Sequence, residues 1–140
     1  MNDLQKIFCF MNIPSPHQGD FYRELSNLCD LTVFFEGEMT VDRKNLGWDT
    51  NVSGFKYYFL KRGKNNFSNQ DGFYFLNGLP GSYRNFINLL KIESSNIAFQ
   101  SEMTYEENVK YYHKYIRKFF KIILNKRNIP LLCIGQDLRK

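Results

Sequence analysis

No apolar run in this chain is long enough to cross a bilayer. A spanning helix needs roughly 20 mostly apolar residues. The longest runs here are Leu31–Phe35, with its interior Thr32, and Ile122–Leu124. The opening Met1-Asn2-Asp3-Leu4-Gln5 lacks a basic stretch followed by an apolar one, so no signal peptide is expected. Cysteine is sparse: Cys9, Cys29 and Cys133 are odd in number and form no Cys-x-x-Cys pair. That fits reduced, mostly buried thiols in a cytoplasmic protein rather than a disulfide framework. The histidines, His17 and His113, have no ligand spacing with any cysteine, so no metal is expected. No Gly-x-Gly-x-x-Gly follows the first apolar run, which disfavours a conventional dinucleotide dehydrogenase, and no cofactor is expected. Internal repeats and low-complexity segments are also lacking.

What is present is one domain's worth of chain. The 140 residues, 43% of them hydrophobic, are enough for a single core spanning 1–140. Strand-like runs cover Lys6–Met11, Leu31–Glu36, Phe55–Leu60, Gly72–Leu76, Asn96–Gln100 and Ile129–Ile134. Between the first two lies Asn12–Gly19, where two prolines and a glycine predict a loop. A helix is predicted from Asp20 to about Cys29, with Phe21, Leu25 and Leu28 on one face. Residues 37–56 read as polar and irregular, and Arg62–Gln70 as a polar loop. Tyr83, Phe86, Ile87 and Leu90 mark a further helical face, and Thr104-Tyr-Glu-Glu107 has capping-box spacing for a long helix to about Lys126. Alternating strands and helices predict an α/β, Rossmann-like three-layer sandwich with a mostly parallel sheet.

Ligands in such folds bind beyond the carboxyl ends of the strands, where the strand order reverses. That singles out the loops Asn12–Gly19, Asn77–Ser82 and Gln100–Met103. The net charge of +5 is concentrated between Lys110 and Arg127. On the long helix, Lys110, Lys114, Arg117, Lys118 and Lys121 give a basic face beside an apolar stripe. This face is either solvated or turned to an anionic membrane, where each basic residue is worth about 1 kcal/mol.

The order of motifs resembles the opening of bacterial glycosyltransferases of the large retaining GT-B group. It runs Asn12-Ile-Pro-Ser-Pro, Asp20-Phe21, Glu24-Leu25, then Cys29-Asp-Leu-Thr-Val33. His17-Gln18 stands where that family usually has Tyr-Arg. The resemblance continues through Asp42-Arg43 and Trp48, Asp71–Gly78, Asn96–Glu102, Lys114–Phe120 and Ile134-Gly135. It implies the N-terminal, acceptor-side domain of a GT-B enzyme, one of two Rossmann-like domains facing across a cleft. The nucleotide-sugar donor would be held by a C-terminal domain outside these residues. The implied reaction is transfer of a sugar to a saccharide or lipid-linked acceptor in cell-surface polysaccharide synthesis. It would take place in the cytoplasm or peripherally at the inner membrane face, and the domain alone is expected to be incomplete and inactive.

Such chemistry places an acceptor hydroxyl against an anomeric carbon. Candidate acceptor contacts are Pro14, Ser15, Pro16, His17, Gln18, Asn77, Gly78 and Ser101. Glu102 and His17 are candidates to orient or deprotonate the hydroxyl, and His17 also to bind an acceptor phosphate. Against each stands a plainer role: solvated loop histidine, surface carboxylate, turn serine. The competing reading is a non-catalytic flavodoxin-like binding module. A receiver is disfavoured because the first strand ends in Met11-Asn12 rather than acidic residues. Nucleic acid is not an expected partner, because most aromatics fall inside strands and no RNP-like motif occurs.

Overall fold

The computed structural model describes residues 4–48, 52–60, 71–77, 91–102, 118–119 and 122–134. Six strands form one sheet: β1 (Lys6–Met11), β2 (Asp30–Phe35), β3 (Lys56–Phe59), β4 (Phe73–Asn77), β5 (Ile97–Glu102) and β6 (Leu131–Ile134). Their order is β3-β2-β1-β4-β5-β6, and every neighbouring pair is parallel. The expectation of an α/β fold is met. The strand order is that of a doubly wound dinucleotide-binding sheet and not the β2-β1-β3-β4-β5 order of flavodoxin-like folds.

Strands buried on both faces read as unbroken apolar runs rather than alternating ones. β1 does so because both of its faces are covered by core side chains. On one face Phe8, Phe10, Tyr74, Leu76, Ile97 and Phe99 pack with Ile92, Leu124 and Ile129. On the other, Cys9, Met11, Leu31, Val33 and Phe35 pack with Tyr22 and Cys29. The register explains the partition, since Phe8 lies beside both Thr32 and Tyr74, and Cys9 beside Val33 and Phe75. Rings lock the first face: Phe8 and Tyr74 have centroids 5.1 Å apart, Phe10 and Phe34 5.0 Å. Val33 is fully buried, and a side chain of that kind contributes roughly 1.5–3 kcal/mol. Before β4, Gly72 passes so close to β1 that a Cβ there would sit 2.6 Å from the Phe8 ring and 3.0 Å from the Lys6 carbonyl oxygen. No side chain fits that approach without a shift.

Helix α1 (Pro16–Leu28) crosses from β1 to β2. It starts at Pro16, so residues 16–19 are its first turn and not loop as the sequence suggested. Pro16 occupies the first helical position, where its missing N–H costs nothing and its fixed φ suits the helix, and Ser15 is the N-cap. The inward face is also turned by one residue. Tyr22, Leu25 and Cys29 face the sheet, whereas Phe21 and Leu28 are exposed. Residues 37–56, read as irregular, contain the short α2 (Val41–Asn45). All five of its residues are exposed, so it offers no apolar periodicity to detect. A 3-10 turn at Ser94–Asn96 delays β5 to Ile97. The segments read as loop at Arg62–Gln70 and as helix at Tyr83–Leu90 lie outside the described residues.

Candidate functional site at the carboxyl edge of the sheet

β1 has β2 on one side and β4 on the other, so the connections leave β1 and β4 in opposite directions. A crevice at the carboxyl end of such a switch point is the ligand position in open parallel sheets. Two backbone bonds carry the β1–β2 ladder past the strand ends: Glu36 N to Met11 O and Gly37 N to Asn12 O, both 2.9 Å. They hold the chain as it rises out of β1. Pro14 is buried beneath it, and Ser15 then adopts the extended conformation of an N-cap without its hydroxyl bonding the helix. Gln18 N closes the first turn on Ser15 O at 3.1 Å.

The first turn of α1 therefore stands at the switch point. His17 is exposed there. The Gln18 Oε1 is buried and accepts no hydrogen bond from the described residues, a state that buried polar atoms seldom occupy. On the same edge Asn77 ends β4, and its side chain lies near the buried phenol of Tyr22 from α1. Burial drives the Tyr22 phenol strongly up, nearby Cys9 adds to this, and Asn77 opposes it. Tyr22 thus stays neutral and packs α1 against the sheet. Cys9 is no nucleophile: burial, followed by the neighbouring Cys29, pushes its thiol up to about 12.

A second group lies on the same edge, beyond β2. α2 ends in a Schellman motif: Trp48 N donates to Arg43 O at 3.2 Å and Gly47 N to Lys44 O at 3.0 Å, with Gly47 at φ 79. The turn returns Trp48 over the helix it leaves. Its indole has the Arg43 Cζ 5.0 Å above the ring centroid and the His17 ring edge-on at 6.0 Å. Among the described residues no carboxylate pairs with Arg43.

The expected contacts Pro14, Ser15, Pro16, His17 and Gln18 are thereby gathered at the start of α1, at the edge of the sheet where Asn77 ends β4. Ser101 and Glu102 are the last residues of β5, beside Cys133 and Ile134, one and two places beyond the Asn77–Gln100 pair. Gly78, Lys110, Lys114, Arg117 and Lys121 lie outside the described residues, and Lys118 is exposed. Tyr22, Arg43 and Trp48 were given no role from sequence. The signal for the last two was Gly47-Trp48 closing a polar stretch. No group of His, Cys, Asp and Glu that could hold a metal occurs among the described residues. No helix among the described residues is long and apolar enough to cross a membrane.

No family model, curated protein or solved structure matches this chain.

Proposed function

We propose that the chain is the acceptor-side domain of a GT-B sugar transferase acting in polysaccharide synthesis. The observation that carries the reading is the switch point between β1 and β4, with the Pro14–Gln18 turn standing over it and Asn77 on the same edge. The motif order from Asn12 to Val33 supports it independently. In this reading Ser15, Gln18 and Asn77 hydrogen-bond the acceptor saccharide, and the unpartnered Gln18 Oε1 gains a hydroxyl donor on binding. His17 and Glu102 orient the attacking hydroxyl. The donor nucleotide-sugar is held by a partner domain, and the basic residues from Lys110 to Lys121 lie against anionic lipid.

Amide NMR titration of the labelled chain with saccharides and a short-chain lipid-linked saccharide tests this. Saturable shifts clustered on Asn12–Gln18 and Asn77 are expected. Shifts confined to other elements, or none with any saccharide, would sink the reading.

A further inference from the structure

The Arg43–Trp48 pair lies beyond β2, outside the crevice between β1 and β4, with His17 at its edge, and of the three only His17 has a part in the acceptor reading. Three side chains from two separate elements converge there. α1 supplies His17, while α2 and its terminal turn supply Arg43 and Trp48. The Schellman turn fixes the relation of Arg43 to Trp48 through backbone bonds, so the pair is arranged before any ligand arrives. A guanidinium held over an indole keeps its rigid fork of N–H donors, which matches carboxylate and phosphate geometry. A cation over a half-buried ring is worth about 0.5–2 kcal/mol, less than a charged bidentate contact can return, so a small adjustment onto a ligand is open to it. Because no described carboxylate neutralises Arg43, its charge is available.

We infer that Arg43, Trp48 and His17 form a binding site for the phosphate group of a phosphorylated saccharide. The guanidinium fork matches two phosphate oxygens, a geometry that makes such pairs short and strong. The imidazole offers a further N–H, and the indole presents apolar surface to the adjoining sugar ring. This rests on the acceptor reading and extends it. The phosphate end of the acceptor would lie over α2 while its saccharide enters the crevice.

Trp48 is the only tryptophan, so its fluorescence reports on this site directly. The chain is titrated with inorganic phosphate, a hexose phosphate, the neutral hexose and vesicles of anionic lipid. Expected is a saturable change with the hexose phosphate, weaker with inorganic phosphate and absent with neutral hexose. Arg43→Gln should weaken it about tenfold, the loss expected for one charged bidentate contact, and added salt should weaken it further. An equal response to neutral hexose, no response, or an unchanged affinity in Arg43→Gln overturns the inference. A response to vesicles without one to hexose phosphate assigns the site to membrane and overturns it as well. Saccharide-induced shifts at Asn77 without any response of Trp48 would leave the acceptor reading standing and remove this one; the converse result would do the reverse.

Discussion

Two helices in this chain end by the same device and put it to different uses. The helix containing residues 122–126 closes with Ile129 N on Leu124 O at 3.0 Å and Asn128 N on Asn125 O at 3.2 Å, with Asn128 at φ 52. α2 closes with the same pair of bonds around Gly47. In each, the residue after the left-handed position folds back over the residue five before it. In the first, that brings Ile129 onto Leu124, and both are buried in the core. In the second, it brings Trp48 onto Arg43, and the guanidinium is exposed. The backbone geometry is common to both, so the side chains alone decide the outcome. Two apolar groups make a structural contact, whereas an aromatic ring under a cation that no described carboxylate pairs leaves binding capacity unspent.

That contrast can be broken from either side. Leu124→Ala removes the core-facing contact and should lower unfolding free energy by about 2–5 kcal/mol, the range for emptied core sites, measured by urea denaturation. The rim variant Arg43→Gln should leave the same curve nearly unmoved. Alkali gives the next effect, again confined to the core. The Cys9 thiol rises from 9.0 to about 12 on folding, so above pH 9.0 the unfolded chain loses this proton while the folded chain keeps it. Its contribution is complete below pH 9.0 and falls by about 1.4 kcal/mol per pH unit until the folded value is reached. Denaturation curves taken across that interval should show the decline, and Cys9→Ala should reduce its slope and leave the part that the buried Tyr22 phenol adds above pH 10.0. Smallest is the turn itself. Gly47→Ala puts a Cβ at φ 79 and should cost about 1–2 kcal/mol. It should also shift Trp48 emission, whereas Asn128→Gly, which keeps the left-handed residue permissive, should change stability by only a few tenths of a kcal/mol.

The strands were legible because burial on both faces writes a continuous apolar run, and Lys6–Met11 carries one. The start of α1 was misread because two prolines look like loop, although one of them occupies the single helical position that favours proline. Its face was misassigned because Phe21 is the more apolar residue. Tyr22 is nonetheless the one buried, packed with Cys9, Leu31 and Val33 of the sheet, a contact that no local pattern reveals. α2 left no trace, having no apolar side. The strand-end loops could be named from sequence, but not the position of the switch point. That depends on β1 choosing β4 as its second neighbour, a pairing between distant segments.

That choice also bears on how the chain assembles during synthesis. β1, β2 and β3 emerge in the order in which they pair, and each new strand meets one already made. The other side of β1 must wait until Phe73–Asn77 has been translated, and its row of unpaired N–H and C=O groups is an invitation to foreign strands in the meantime. A strand that ends up inside the sheet thus spends part of synthesis with one side open to mispairing, and the crevice proposed for ligand is completed only when that wait ends.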